Sequence, residues 1–220
     1  MIEHPLEEEY WKEGKRILGM DEAGRGPLCG PMMVAGVIFP AGYHNDQLND
    51  SKKLSEKKRE VLFDQILEDA LYWQVLVIDE RTIDEQNIYR AAQHGMERIA
   101  AAQKDHSDVI LSDAMPLPAI EENPEDERVC ESIIKGDSKS LSIAAASILA
   151  KVSRDRYMKQ LDEEYPQYNL KKHKGYPTKA HLEAIERYGV QDFYRRSYGP
   201  VARALEKPAQ LTLFFAEQTE

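Results

Sequence analysis

The chain has 220 residues, 42% hydrophobic and 31% charged, with 29 Lys and Arg against 39 Asp and Glu for a formal net charge of -10. These proportions exclude a largely disordered protein and give enough chain for one domain with a substantial core. The acidity argues against a general polyanion binder, a class that is usually basic.

In chain order, a strand is expected over 16–21 (RILGMD), ending at a glycine-containing turn, and a second over 32–39 (MMVAGVIF). Ser55 is placed to cap a helix running to about residue 70, with Val61, Leu62, Ile66 and Leu67 as its apolar stripe. A strand follows at 71–78, then a long helix from near Thr82 with Ile83, Ile88, Ala91 and Met96 on one face. Short strands are expected at 109–113 (VILSD) and 129–136 (VCESIIKG). A helix over about 140–165 carries Ala144, Ala145, Ala146, Ser147 and Ala150, small enough for close approach to a sheet, and shorter helices occupy 178–187 and 190–206. This order implies an α/β fold, a mixed sheet with helices on its faces. The acidic N-terminal stretch is unlike a secretory or transit peptide, and no apolar run approaches the ~20 residues of a membrane helix. Cys29 and Cys130 have neither metal nor disulfide spacing, and the six histidines form no HxxxH pair. Two reduced, buried thiols in a cytoplasmic protein are the expectation.

Charge is uneven. Residues 151–180 hold eight Lys and Arg against four Asp and Glu, which suggests a local basic face for a phosphate-bearing ligand or simply a solvated helix surface.

Three segments carry candidate chemistry. Asp21-Glu22-Ala23-Gly24-Arg25-Gly26-Pro27 stands where the first strand runs out. Adjacent carboxylates there repel unless a cation or proton intervenes, and glycines flanking Arg25 let backbone amides approach a ligand. Because neighbouring strand residues face opposite ways, both acids meet one site only where the chain twists into the turn. Asp113 ends the VILSD strand, and Asp137 lies in KGDSKS before the small-residue helix; alone, each reads equally as a turn or cap residue. Together the four acids would suit hard divalent cations, Mg²⁺ or Mn²⁺, and two such ions could activate water and stabilise the leaving oxygen of a phosphodiester.

The stretches MDEAGRGPLCGP at 20–31, NDSKKLS at 49–55, the Asp113 strand end, IIKGDSKSLSIAAASILAKVSRDR at 133–156 and YPQYNLKKHKGYPTKAHLEAIERYG at 165–189 resemble the type 2 ribonuclease H family, specifically bacterial ribonuclease HII. The resemblance implies a ribonuclease H-like sheet with a small helical C-terminal part, and metal-dependent cleavage of RNA joined to DNA. It implies that Asp21, Glu22, Asp113 and Asp137 hold two divalent ions, Mg²⁺ or Mn²⁺, giving 3′-hydroxyl and 5′-phosphate ends. Gly24, Arg25 and Gly26 match the loop that senses the ribose 2′-hydroxyl, and Tyr176 the ring that stacks on the following sugar at an RNA–DNA junction. Lys52 and Lys174 fall in matching motifs and are expected to face phosphates. One departure stands out: Ala114 follows the third aspartate where many relatives have glycine. The sister ribonuclease HIII type would carry Gly-Thr-Gly in the loop and a long N-terminal extension.

The expected organisation is a catalytic domain over 1–207 and a tail over 208–220, with a monomer expected. In that tail Gln210, Leu211, Leu213 and Phe214 resemble the bacterial sliding-clamp-binding pentapeptide Gln-Leu-x-Leu-Phe; packing on its own domain is the plainer alternative. The substrates implied are RNA/DNA hybrid and ribonucleotide-containing duplex DNA. A non-catalytic nucleic-acid-binding module is disfavoured by the intact acids, and a nucleotide-dependent phosphotransferase by the lack of GxxxxGK[ST] or GxGxxG.

Overall fold

The computed structural model describes Ile2 and residues 5–49 and 51–206. A five-stranded sheet in the order β3-β2-β1-β4-β5 forms its centre. Its strands are β1 (Ile17–Ala23), β2 (Met32–Ile38), β3 (Tyr72–Ile78), β4 (Val109–Asp113) and β5 (Val129–Ile133). β1 pairs antiparallel with β2 and parallel with β4, so the sheet is mixed, as expected.

The helices are α1 (Glu7–Lys12), α2 (Glu56–Asp69), α3 (Glu80–Gln86), α4 (Ile88–Ala102), α5 (Pro118–Glu121), α6 (Leu141–Glu164), α7 (Leu170–His173), α8 (Lys179–Tyr188) and α9 (Gly199–Glu206). Strand alternation divides the core. Met33, Ala35 and Val37 of β2 pack with the alanines of α6 on one face, while Leu18, Met20 and Val34 pack with Ala91, Met96 and Ile99 of α4 on the other. The small residues of α6 do bring it unusually close. A Cβ on Gly19 of β1 would lie 2.4 Å from the Ser142 backbone.

Several boundaries differ from expectation. The helix expected from Thr82 is two helices, broken at Asn87, whose φ of 66° turns the chain while its side chain caps Tyr89 and Arg90. Asn is one of the few residues that tolerates this conformation and supplies a cap. β5 stops at Ile133, and the expected 190–206 helix begins only at Gly199. In α2 the serine cap holds, and Leu62 and Ile66 are buried, but Val61 is half exposed. Cys29 is buried whereas Cys130 is only partly so. Among the described residues no helix is long and apolar enough to cross a membrane.

Candidate active site at the end of the parallel strands

β1 continues through Ala23, so Asp21 and Glu22 lie within the strand and not in the turn after it. Asp21 shares the α6 face with Ile17 and Gly19. β4 runs parallel with Met20 opposite Ser112, and one step further Asp113 stands beside Asp21 on that face. Asp137 joins from the short 3₁₀ turn Gly136–Ser138 that leads into α6. The amide of Gly136 donates to Asp113 Oδ1 at 2.8 Å, tying the third and fourth acids together. Ala114, at the family departure, adopts φ 50°, a left-handed conformation that favours glycine.

Burial and mutual repulsion dominate the electrostatics. Asp21 is buried, and desolvation followed by the charges of Glu22 and Asp113 pushes its pKa well up. The Glu22 amide and the Ser147 hydroxyl bond to Asp21 and partly offset this. Ser147 also meets Ser51 at 2.9 Å, which links the NDSKKLS segment to the site. Glu22 is pushed up mainly by burial and pulled back by Arg25, whose Nη1 lies 3.3 Å from Oε1. Its Oε2 is buried without a hydrogen-bond partner. Lys52 Nζ stands 3.8 Å from Asp137 Oδ2.

A hard divalent cation fits this donor set: four carboxylates, all oxygen, with Asp21, Glu22 and Asp113 repelling one another and one oxygen of Glu22 orphaned. As they stand, no three His, Cys, Asp or Glu side chains among the described residues are gathered tightly enough to hold an ion.

The Gly24–Pro31 loop is held from behind by two buried arginines, Arg154 and Arg195. Arg154 falls in the basic segment 151–180, yet it is 1% exposed and belongs to no surface. It donates to the carbonyls of Pro31, Cys29 and Lys174 at 3.0, 3.0 and 2.9 Å. Burial, then the neighbouring Arg195, lowers its pKa to about 10, so it remains charged at neutral pH. Arg195 donates to the carbonyls of Gly30 and Pro27, and Tyr198 bonds the carbonyl of Arg25 at 2.7 Å. Their only sequence signals are a cation inside an alanine-rich helix and one in a polar run, neither of which reads as buried.

Tyr176 is exposed beside this loop; a Cβ on Gly26 would lie 3.2 Å from its ring. Two histidines set its turn. The carbonyl of Tyr176 can only accept, so His181 Nδ1 carries the proton, donating at 2.9 Å, and Nε2 accepts from the Tyr194 hydroxyl at 2.9 Å. By the same logic His173 donates from Nε2 to the Tyr168 carbonyl and accepts the Gly175 amide on Nδ1. The two rings stack at 4.2 Å. Lys174 does not join the carboxylates directly: it is half-buried, with Asp155, Glu56, Lys159 and Lys151 as its charged neighbours. Gln210, Leu211, Leu213 and Phe214 lie outside the described residues.

A family profile for ribonuclease HII matches residues 18–201. The ribonuclease HII of Bacillus cytotoxicus is 49% identical over 185 residues, covering 84% of this chain and 69% of its own. That of Acholeplasma laidlawii is 47% identical over 198 residues, covering 90% and 94%. Among solved structures, the ribonuclease H2 of Pyrococcus horikoshii superposes with a TM-score of 0.71 at 25% identity, covering 86% of this chain and 96% of its own. Archaeoglobus fulgidus RNase HII, solved in complex with PCNA, gives 0.71 at 26%, covering 88% and 98%. A Bst-RNase HIII in complex with Mn²⁺ shares the fold with a TM-score of 0.69 at 18% identity, over 87% of this chain and 69% of its own. The match takes in all of the sheet but its first residue, the segments that carry the four acids, the loop and the tyrosine turn, and on that breadth the chain belongs to the ribonuclease HII family.

Proposed function

We propose that this ribonuclease H endonuclease nicks duplex DNA on the 5′ side of an embedded ribonucleotide as well as cutting the RNA strand of RNA/DNA hybrids. The observation that carries the reading is the closeness of the Tyr176 ring to Gly26, where a Cβ would lie 3.2 Å from the ring, so that an aromatic side chain stands beside the loop whose Arg25 pairs with Glu22. The 2′-hydroxyl is the one group that separates RNA from DNA at such a site. In this reading the backbone of Gly24–Gly26 senses that hydroxyl, and Tyr176 stacks on the next sugar.

Asp21, Glu22, Asp113 and Asp137 would hold two divalent ions, Mg²⁺ or Mn²⁺. When bound, such ions supply an activated water and stabilise the leaving oxygen, which accounts for 3′-hydroxyl and 5′-phosphate products. Arg25 and Lys52 compensate the acid charge at Glu22 and Asp137; both would turn to phosphates once a cation takes over that role, and Lys174 would contact the backbone farther off. Cleavage of a duplex carrying one ribonucleotide, compared with the all-DNA duplex of the same sequence, tests the proposal. Equal cutting of the two would contradict it.

The tail belongs to the same proposal. Gln210, Leu211, Leu213 and Phe214 would engage a DNA sliding clamp as an extended peptide, and the solved complex of the Archaeoglobus fulgidus relative with PCNA supports the idea. Truncation after Pro208 should abolish affinity for the purified bacterial clamp; unchanged affinity would remove this part.

A further inference from the structure

Arg154 spends all three of its donor groups on backbone carbonyls from two segments far apart in sequence. Nε and Nη2 take Pro31 and Cys29 at the far end of the glycine loop, and Nη1 takes Lys174, two residues before Tyr176. It also fills the space behind the near end of the loop, where a Cβ on Gly24 would lie 2.4 Å from Nε. The loop and turn meet directly as well: the Leu28 amide donates to the Gly175 carbonyl at 2.8 Å, and a Cβ on Gly175 would crowd Cys29. Burying a guanidinium on neutral carbonyls is costly compared with an apolar side chain of similar volume. The planar fork does what no apolar side chain or lysine can, fixing three acceptors from two segments in one plane.

We propose that Arg154 is a positioning residue for substrate selection, setting the separation between the Gly24–Arg25–Gly26 loop and the Tyr176 ring. The inference rests on the reading of loop and ring given under Proposed function. The loop can then meet a 2′-hydroxyl while the ring meets the adjoining sugar, and a loss of Arg154 lets the two elements drift apart without touching the acids.

The test compares kcat/KM on a single-ribonucleotide duplex and on a uniform RNA/DNA hybrid for Arg154→Lys and Arg154→Met, with thermal melts alongside. The ratio of the two rates should fall about tenfold, since misplacement by ~1 Å can cost ~100-fold. In a Tyr176→Ala background the same substitutions should change that ratio by less than about twofold, the ring they misplace being gone. Equal losses on both substrates, or ratio effects that multiply in full in the double variant, would overturn the proposal. If Tyr176→Ala alone leaves the ratio unchanged, the junction reading fails first; if it lowers the ratio and Arg154→Lys does not, only this inference fails. A second measurement leaves Arg154 in place and uses Asp137→Asn protein to prevent turnover. The Arg154 Nε–H resonance should shift on binding the single-ribonucleotide duplex and hold its position on the all-DNA duplex; equal shifts contradict the proposal.

Discussion

A Cβ on Gly24 would lie 2.4 Å from Arg154 Nε and 3.2 Å from the Pro31 carbonyl, so the loop and the buried arginine fit only while residue 24 has no side chain. Gly24 also sits at φ 108°. Gly24→Ala should therefore lower kcat/KM by about 100-fold, the scale of a loop displaced by ~1 Å. Gly42→Ala separates strain from collision, since Gly42 has φ 77° with open space around it. It should cost about 1 kcal/mol of stability and leave activity intact.

Asp21→Asn should separate function from stability. The carboxylate is buried beside Glu22 and Asp113, which repel it. Replacing it with a neutral isostere should reduce turnover by about 1000-fold or more, the scale of losing one preorganised electrostatic group. The metal-free protein should melt no lower than wild type, and a lower melting temperature would show that Asp21 stabilises the fold. Asp137→Asn should lose turnover likewise.

His181 predicts an acid limit. Burial and the neighbouring His173 bring its pKa down from 6.5 to about 4. Between those values the unfolded chain binds a proton that the native state does not. Stability should therefore fall as pH drops from 6.5 toward 4, with a slope from this group approaching about 1.4 kcal/mol per pH unit. Denaturant midpoints across that window should decline less steeply for His181→Gln. Parallel profiles would show that His181 is not the group responsible.

Ala114→Gly should raise stability. Ala114 is exposed and holds φ 50°, so glycine relieves backbone strain without losing packing. The gain should be up to about 1 kcal/mol by chemical denaturation. A destabilised variant would mean that unfolded-state entropy outweighs the strain.

The strands and the α2 cap are legible because each is a local signal, an aliphatic run or a serine before a helix; the four acids are read through the family resemblance, since alone Asp113 and Asp137 read equally as turn or cap residues. What escaped the sequence depends on long-range packing. Arg154 and Arg195 look like surface cations until the loop carbonyls they serve are brought to them from more than 100 residues away. His173 and His181 show no ligand spacing because their partners are backbone and tyrosine, not metal. The break at Asn87 was hidden because helix periodicity continues on both sides of it, and α1 because six residues are too few to show a period.

Under the proposed function, the acids use divalent ions to cut at a ribonucleotide and nowhere else. The most direct measurement incubates a labelled duplex carrying one ribonucleotide, and its all-DNA counterpart, with Mg²⁺ or Mn²⁺ and again with EDTA. We predict one nick on the 5′ side of the ribonucleotide, leaving a 3′-hydroxyl, with neither the all-DNA duplex nor the EDTA sample cut. Cutting of both duplexes alike, or full activity in EDTA, would contradict the proposed function.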